Sequence, residues 1–415
     1  MYNGPVRQNI PNPTTIIAHI FFNVKENKKK NMKICAIICE YNPFHNGHLY
    51  HIQTAKKLSG ADKIVCVMSG NFVQRGEGAC LDKRIRAKHA IQAGADAVLE
   101  LPTIFSTSNA ELFAKGAIKL ITAIPSVTTI CFGAENADKD SFLNAAKILN
   151  DEPKEVSNEL QRLLSNGISY AKARATAYSK YIQNDFLLKP NNSLGLAYTQ
   201  ALLKLNSTIE ILPIERQGSG YTELGLQENF SSASAIRNEL QHGNQEKILS
   251  NIPTFSREDI LSAKTPNLLA LEKFAVLIKK KEEIAKVSDC TEGLENAFKQ
   301  VAENGLLDFE KELTSLRYPS ARIRRIALQN LLGIEKGFIT QALDNDLYLR
   351  LLAVNKQNDE ILSLLGQSSY PLLVRNSDAK KLTGIAREVF EKEEFCDRIY
   401  AIANNTSSLY HNPLV

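Results

Sequence analysis

The sequence predicts an α/β protein in which helices cover a parallel sheet, followed by a mostly α-helical C-terminal region. Short apolar runs typical of buried strands alternate with helical patterns through the first half of the chain. Glycine or proline ends many of these segments, as at Gly60, Gly94 and Pro102. From about residue 240 onwards the patterns become almost entirely amphipathic and helical. These observations place the sheet in the first half of the chain.

Strands and helices alternate in that half. Strands are predicted at residues 33–39, 62–70, 96–102, 127–133 and 208–216. Helices are predicted at residues 48–60, 82–94, 109–122, 139–183 and 192–205. Strands joined by helical crossovers are parallel, because the crossover returns the chain to the same end of the sheet. Ligands of such sheets bind at the carboxyl ends of the strands.

The chain is predicted to contain three segments. Residues 1–31 are expected to be a disordered extension, because their apolar run precedes lysines, the reverse of a secretory signal. Residues 32–240 are expected to form the α/β domain. Residues 241–415 are expected to form a mostly helical domain, with short strand candidates at 346–354 and 370–375.

The composition is that of a globular protein, since 44% of the 415 residues are hydrophobic and 23% are charged. The net charge of +5 is mild, although a local basic cluster can still bind a polyanion. The 7 cysteines include no CxxC pair, which favours reduced thiols over a disulfide framework or a zinc site. No apolar stretch is long enough to span a membrane. We therefore expect a cytoplasmic protein with no membrane partner.

The stretch CEYNPFHNGHLYH, residues 39–51, directly follows the first predicted strand. His45 and His48 lie three apart at the start of the next helix and share one of its faces. The amino terminus of a helix offers free N–H groups and a positive partial charge. Gly47 lets a phosphate approach the backbone, and Pro43 fixes the preceding turn. Imidazole donors placed here can stabilise charge that develops on phosphoryl oxygens.

Other interpretations of this stretch are weaker. A structural role would be the default interpretation of a lone histidine, but this stretch holds three of the chain's 7. Zinc binding by His45, His48 and His51 is disfavoured, because the third lies well round the helix and no carboxylate or cysteine is spaced to help. No GxxxxGK[ST] loop follows the strand. The stretch therefore predicts phosphate activation with no metal ligands and no covalent nucleophile.

The segment His45-Asn46-Gly47-His48 matches the HxGH signature, and the chain resembles the HxGH nucleotidylyltransferase superfamily. This superfamily has a Rossmann-like domain with a parallel sheet and shares its fold with class I aminoacyl-tRNA synthetases. Further stretches sharpen the resemblance: MSGNFVQRG, GADAVLELP, CFGAEN, KPNNSLGLAY and IERQGSGY. Together, and in this order, they resemble the bacterial tRNA(Met) cytidine acetate ligases. The likeness runs from Met32 to about Leu240 and continues more loosely to about residue 400.

The resemblance implies an ATP-dependent ligase that acts in two steps. Acetate attacks the α-phosphate of ATP, which gives acetyl-adenylate and pyrophosphate. The exocyclic amine of the wobble cytidine in elongator tRNA(Met) then takes the acetyl group and becomes N4-acetylcytidine. The implied partners are ATP as co-substrate, Mg²⁺ with its triphosphate, free acetate and the tRNA.

The resemblance also implies site residues, with His45 and His48 as the catalytic pair. The implied ATP-binding residues are Ile38, Cys39, Glu40, Tyr41, Asn42, Pro43, Phe44, His45, Asn46, Gly47, His48, Leu49, Tyr50, His51, Gly133, Asn191, Asn192, Arg216, Ser234 and Arg237. Ser234 and Arg237 belong to SSASAIR, which resembles the superfamily's ISSTxIR-like segment. One of Asn191 and Asn192 is implied to contact the adenosine, and the sequence does not decide which.

Several of these residues also have a simpler structural interpretation. Ser234 can be a helix N-cap. Arg216 can be a solvated arginine at a strand end, Gly133 an ordinary turn residue and His51 a packing residue. The acetate pocket is not located by the sequence, although SGNF, residues 69–72, is a candidate for its wall.

An arginine-rich segment after residue 315 is the predicted tRNA-binding surface. Its basic side chains attract phosphate, and a tyrosine beside them can stack on an exposed base. Its neighbours Ile323 and Ile326 indicate a buried stripe with the arginines opposite, although a solvated helix face is the simpler alternative. The predicted tRNA-binding residues are Arg317, Tyr318, Arg322, Arg324 and Arg325.

KRIRAK, with Lys83, Arg84, Arg86 and Lys88, is predicted as a second basic patch near the nucleotide site. If the arginine-rich segment holds only tRNA, its replacement by alanine is expected to leave adenylate formation intact. The two functions are therefore predicted to lie on separate parts of the chain.

Other functions remain open. A small-molecule adenylyltransferase of the nicotinamide-mononucleotide or phosphopantetheine type fits HxGH but has no need of a long basic helical domain. A class I aminoacyl-tRNA synthetase would need a KMSKS loop, for which SSASAIR is no substitute. A non-catalytic RNA-binding protein would be expected to lose His45 or His48, and both are present.

Overall fold

The computed structural model describes residues 32–183, 185–217, 226, 229–306, 308–358 and 360–406. The predicted extension and part of IERQGSGY lie outside them. The strands are β1 (Ile34–Cys39), β2 (Lys63–Ser69), β3 (Phe72–Val73), β4 (Glu77–Gly78), β5 (Ala97–Leu101), β6 (Val127–Ala134), β7 (Glu210–Glu215), β8 (Leu349–Val354) and β9 (Leu372–Leu373). The five strands predicted in the first half are thereby confirmed, as β1, β2, β5, β6 and β7.

The helices follow the predicted order. They are α1 (Asn46–Ser59), α2 (Lys83–Gln92), α3 (Thr103–Ser106), α4 (Ala110–Thr122), α5 (Lys139–Asn150), α6 (Lys154–Ser165), α7 (Tyr170–Ala177), α8 (Pro190–Lys204), α9 (Ala233–Gln241), α10 (Arg257–Leu261), α11 (Leu269–Ile278), α12 (Lys281–Ile284), α13 (Leu294–Glu303), α14 (Phe309–Leu313), α15 (Ser320–Leu332), α16 (Lys336–Asp344), α17 (Glu360–Leu365) and α18 (Gly384–Ala403). As predicted, α1 ends at Gly60, whose φ of 61° is the left-handed conformation that glycine adopts at little cost. Among the described helices, none is long and apolar enough to cross a membrane.

The main sheet of the described residues has the strand order β7-β6-β1-β2-β5-β8-β9. Strands β7 through β5 run parallel, and β8 pairs antiparallel with β5. The chain builds the sheet outwards from β1 in one direction and then crosses back to add β6 on the other side of β1. The carboxyl ends of β1 and β6 therefore flank a topological switch point, which is where such sheets bind ligands.

Alternate side chains of β1 enter two different cores. Ile34 and Ala36 pack with α4 and α8 on one face, and Cys35 and Ile37 pack with α1 and α2 on the other. Because both faces are covered, the strand is apolar throughout, which is why it appeared as a continuous run in the sequence. The predicted α/β class with a parallel sheet is confirmed.

The chain beyond residue 241 has a core of its own and also completes the sheet. Phe298, Phe309 and Ile323 lie in the separate helical core. The strand candidates at 346–354 and 370–375 are confirmed as β8 and β9, and β8 extends the main sheet. The division into 32–240 and 241–415 stays a prediction, and the sheet crosses it.

Candidate active site

A cavity of about 220 Å³ opens at the carboxyl ends of β1 and β6. Its walls come from the β1–α1 turn, the β3–β4 hairpin, the end of β6, the start of α8, the end of β7 and the start of α9. These segments are far apart in the sequence. The parallel strands bring them together because their carboxyl ends lie at one edge of the sheet.

His45 and His48 form a stacked pair on the cavity wall. Their ring centroids are 3.6 Å apart and the ring planes differ by 23°. His45 is the N-cap of α1, and its Nδ1 accepts a hydrogen bond of 3.0 Å from Gly47 N–H. His48 Nδ1 in turn accepts one of 3.3 Å from His45 N–H. Since both Nδ1 atoms act as acceptors, each neutral ring carries its proton on Nε2.

The histidines of the cavity are uncharged at neutral pH. Burial, with the nearby Arg216 guanidinium, lowers the pKa of His45 to about 3 and that of His51 to about 4. Burial, with repulsion between the His48 and His45 rings when both are protonated, holds the pKa of His48 well below its usual range. Neutral rings with the proton on Nε2 are hydrogen-bond donors that need no proton transfer to act.

Most predicted ATP-binding residues lie on the cavity wall. The structure places there Ile38, Cys39, Glu40, Tyr41, Asn42, His45, Gly47, His48, Tyr50, His51, Gly133, Asn191, Arg216, Ser234 and Arg237. It places Pro43, Phe44, Asn46, Leu49 and Asn192 away from the wall. Phe44 is wholly buried in the core, and Leu49 packs beside it. The Asn46 side chain donates to the carbonyl of Ser250, 2.7 Å away, so it anchors α1 to the chain after α9.

The two asparagines of KPNNSLGLAY have different positions. Asn191 lines the cavity, and its side chain donates to Glu135 Oε1 at 2.7 Å. Asn192 is fully buried, and its Oδ1 accepts from the backbone N–H groups of Glu135 and Asn136. Asn192 therefore shapes the loop after β6, whereas Asn191 faces the cavity.

The start of α9 supplies one corner of the cavity. Ser232 is the N-cap, since its side chain accepts from Ala235 N–H at 3.1 Å. The alternative that Ser234 is the cap is therefore wrong: Ser234 Oγ instead accepts a 3.0 Å hydrogen bond from Arg75. Arg237 donates to Asn42 O at 2.6 Å and to Glu77 at 2.8 Å.

Gly133 and Arg216 stand side by side at the ends of β6 and β7. A Cβ atom at position 133 would lie 3.3 Å from Arg216 Cγ, tighter than ordinary van der Waals contact. Glycine therefore leaves the arginine stem room to lie against the end of β6. His51, on the same wall, has Nε2 3.2 Å from Cys131 Sγ.

The β3–β4 hairpin contributes cavity residues that the sequence did not assign. Gln74, Arg75 and Glu77 all line the cavity. The stretch MSGNFVQRG contributed to the family resemblance, but nothing in the sequence indicated that its polar residues line the site. SGNF, the candidate acetate wall, does not line the cavity, and Ser69 and Asn71 are fully buried.

The predicted second basic patch was wrong for two of its four residues, which lie in the interior, whereas the Lys88 side chain is 47% exposed. Lys83 and Arg86 are both 0% exposed. Arg86 donates to the backbone carbonyls of Glu40, Ser69 and Gly70, so it ties the ends of β1 and β2 together. A local sequence pattern could not show this, because the partners of α2 come from distant parts of the chain.

Lys83 lies at the centre of what we call the interior ion cluster. Its Nζ is 2.5 Å from Glu100 Oε1 and 2.6 Å from Asp397 Oδ2. The carboxylates of Glu100, Glu393 and Asp397 are close enough together to hold a metal ion, and the ammonium of Lys83 lies among them. The members of the cluster are Lys83, Glu100, Arg350, Glu393 and Asp397.

The arginine-rich segment is partly exposed and largely ion-paired. Ile323 and Ile326 are buried as predicted, but Arg325 is only 9% exposed and bonds Asp289. Arg322 and Arg324 are half-buried and face Glu292 and Glu310. The Arg317 side chain is 69% exposed, and its guanidinium lies 5.7 Å from the Tyr318 ring centroid.

Comparison with known proteins identifies the family. The model of the HIGH Nucleotidyl Transferase family matches residues 32–412. A tRNA(Met) cytidine acetate ligase of Thermoanaerobacter sp. (strain X514) is 39% identical over 391 residues, which cover 91% of this chain and 97% of the relative. This chain belongs to the tRNA(Met) cytidine acetate ligase family. Members of the family are ligases, so the chain is an enzyme of that class.

Further relatives and solved structures belong to the same family. The tRNA(Met) cytidine acetate ligase of Clostridium novyi (strain NT) is 38% identical and covers 83% of this chain and 90% of the relative. The crystal structure of apo Thermotoga maritima TmcAL has a TM-score of 0.83 at 32% identity, covering 90% and 95% of the two chains. The same protein bound with alpha-thio ATP gives a TM-score of 0.81.

Proposed function

We propose that this protein uses ATP to join free acetate to N4 of the wobble cytidine of elongator tRNA(Met). The observation that carries the proposal is the stacked His45–His48 pair on the cavity wall, with both Nε2–H groups fixed as donors. The names of the relatives supply the substrate class, and the ATP analogue in the Thermotoga structure supplies the nucleotide.

In the first step an acetate oxygen attacks the α-phosphorus of ATP, and the bond to the β-phosphate oxygen breaks. The products are acetyl-adenylate and pyrophosphate. Such a transition state needs positioning and charge neutralisation more than covalent help. We assign His45 and His48 to stabilise the phosphoryl oxygens and Arg216 to attract the triphosphate.

In the second step N4 of cytidine attacks the acetyl carbonyl carbon, the bond to AMP breaks, and the amine releases a proton. We place ATP against the cavity residues identified above, with Asn191 rather than Asn192 as the adenosine contact. Glu40, Glu77 and Glu215 are the glutamates on the wall. Mg²⁺ bound with the triphosphate would offset the charge of the β- and γ-phosphates.

We propose that tRNA approaches the cavity along the arginine-rich segment. Arg317 is the most exposed of the arginines in this segment, and it lies beside Tyr318. All four arginines pair with carboxylates, but the side chains of Arg322, Arg324 and Arg325 are only 22%, 25% and 11% exposed, so they offer less to a phosphate than Arg317 does. The division of labour between residues 32–240 and 241–415 and a cytoplasmic location are part of this proposal.

The test is incubation of the protein with ATP, labelled acetate and total tRNA, followed by nucleoside analysis. Label in N4-acetylcytidine that requires both ATP and free acetate supports the proposal. Omission of ATP, and replacement of acetate by acetyl-coenzyme A, are the controls. AMP transfer to nicotinamide mononucleotide or phosphopantetheine without acetylcytidine would favour a small-molecule adenylyltransferase. Tight tRNA binding without turnover would favour a non-catalytic RNA-binding protein.

A further inference from the structure

The β3–β4 hairpin, residues 72–78, stands between the cavity and helix α15. Its turn is closed by a 2.9 Å hydrogen bond from Gly76 N–H to Val73 O. One side of the hairpin faces the cavity and the other packs on the arginine-rich segment. The hairpin therefore contacts both regions.

The inner side of the hairpin contacts three other parts of the cavity wall. Gln74 N–H donates to Glu40 Oε1 at 2.7 Å. The Arg75 guanidinium donates to Ser234 Oγ at 3.0 Å at the start of α9. Glu77 pairs with the Arg237 guanidinium at 2.8 Å. A displacement of the hairpin would move each of these contacts.

The outer side rests directly on the backbone of α15. A Cβ atom at Gly76, whose φ is +76°, would lie 2.4 Å from the backbone nitrogen of Arg325. Arg324 Nε donates to the carbonyl oxygen of Arg75 at 3.0 Å, and Arg324 Nη1 reaches Glu310 Oε1 at 2.6 Å. Arg324 therefore bridges the hairpin and α14 with one guanidinium.

We propose that Arg324 is a positioning residue for ATP activation, acting through Arg75, and not solely a contact for tRNA. This inference rests on the proposed function. The Arg324 guanidinium fixes the backbone carbonyl of Arg75, and the Arg75 side chain donates to Ser234 Oγ at the cavity. This inference predicts that replacing Arg324 slows adenylate formation, contrary to the expectation that removing these arginines spares it. The helical region then serves both half-reactions.

The test compares Arg324→Met with Arg387→Met in the absence of tRNA. Arg387 is a matched control, since it also bonds one carboxylate, Glu391, and one backbone carbonyl, Ala379. ATP affinity is measured by calorimetry and adenylate formation by acetate-dependent ATP–pyrophosphate exchange, after thermal unfolding has confirmed the fold. Misplacement of a positioned group costs up to about 10²-fold in rate, so we expect a roughly 10- to 100-fold loss for Arg324→Met alone.

The outcomes separate the two proposals. Weaker ATP binding and slower exchange in Arg324→Met support a role in ATP activation. If the double variant Arg75→Met/Arg324→Met loses no more than Arg75→Met does, Arg324 acts through Arg75. Normal ATP affinity with a defect only in tRNA acetylation would overturn the inference and leave Arg324 as an RNA contact. If the wild-type protein shows no acetate-dependent exchange, the proposed function fails, while ATP affinity still tests Arg324.

A second variant covers the case in which Arg324→Met does not fold. Gly76→Ala alters no arginine, but its Cβ would press the hairpin away from α15. The inference predicts the same tRNA-independent loss of ATP affinity in this variant. A folded Gly76→Ala protein with wild-type ATP affinity would contradict it.

Discussion

The cavity and the interior ion cluster lie at the same edge of the sheet. The cations of the cluster are paired with carboxylates, whereas the histidines of the cavity are neutral. In the cluster, Lys83 has two carboxylates within 2.6 Å, and no part of its side chain needs solvent. In the cavity, His45 and His48 have no carboxylate partner among the described residues, and burial keeps them neutral. Charges of the cluster are paired with one another inside the protein, whereas the donors proposed for catalysis keep Nε2–H for a substrate.

The largest expected effect comes from removing Lys83, the central cation of the cluster. Lys83→Met leaves the buried Glu100 and Asp397 with Arg350 as their remaining cation. Removing one partner of a buried ion pair typically costs 3–5 kcal/mol, so we expect a loss of about that size. Urea unfolding measures it. Lys88→Met, on the same helix but with its side chain 47% exposed, is the control and is expected to unfold as the wild type does. A Lys83→Met protein of wild-type stability would show that the cluster does not hold the fold.

The cavity should show the reverse, with a loss of activity and little change in stability. His48→Ala removes one donor of the developing phosphoryl charge, which costs about 2.7–4 kcal/mol, or roughly 10²–10³ in rate. Acetate-dependent ATP–pyrophosphate exchange measures this loss. The exposed His242 supplies the control variant His242→Ala. Wild-type exchange in His48→Ala would remove the basis for the phosphoryl-transfer assignment.

Acidification should lower the free energy of unfolding through the buried histidines of the cavity. The pKa values of His45 and His51, about 3 and about 4, lie below the ordinary value of 6.5, so between these limits the unfolded chain binds more protons. The free energy of unfolding is therefore expected to fall as the pH drops from about 6.5 towards 4. Denaturant titrations across this range should show a shallower decline in His45→Asn/His51→Asn. An equal slope in both proteins would contradict the assignment.

The cluster should show the opposite dependence. Burial, with repulsion from Glu100, raises the pKa of Glu393 to about 8 from its ordinary 4.5, so the folded state binds the extra proton. The stabilisation is complete below pH 4.5 and is lost as the pH rises through 8. Glu393→Gln, which cannot ionise, should flatten this decline between pH 4.5 and about 8. A decline that is unchanged in Glu393→Gln would assign the effect to another group.

The smallest effect is expected at the exposed arginine. Arg317→Ala should leave stability and pyrophosphate exchange unaltered, because its side chain is 69% exposed and pairs only at the surface with Glu292. If it contacts a phosphate of the tRNA, the slope of log affinity against log salt should fall by about 1. Filter binding at several salt concentrations measures it. An unchanged slope would mean that Arg317 is simply solvated.

The two regions also differ in how far the sequence predicted them. His45 and His48 were predictable, because residue type, spacing and the preceding apolar strand are all local. Lys83 was not, because its partner Asp397 is 314 positions away and no pattern around KRIRAK distinguishes a buried lysine from a solvated one. The same reason applies to Arg75, whose role depends on Ser234, 159 positions away.

Two further features depend on how whole elements are placed in the fold. Asn191 and Asn192 are adjacent and chemically identical, so only the rotation of α8 decides which one faces the cavity. Strand β8 was predicted as a strand, but nothing in its sequence specifies pairing with β5. Patterns within a segment predict its conformation, whereas its neighbours are chosen by the packing of the whole chain.

The antiparallel pairing of β8 with β5 has a consequence for synthesis on the ribosome. Strand β5 is complete at residue 101, but its partner begins only at residue 349. At ribosomal speeds of about 5–20 residues per second, the edge of β5 stays unpaired for roughly ten seconds to a minute. During that interval Glu100 and Lys83 also lack Arg350 and Asp397. The nascent chain thus displays an open strand edge that can recruit foreign strands, until its own late segment arrives and covers it.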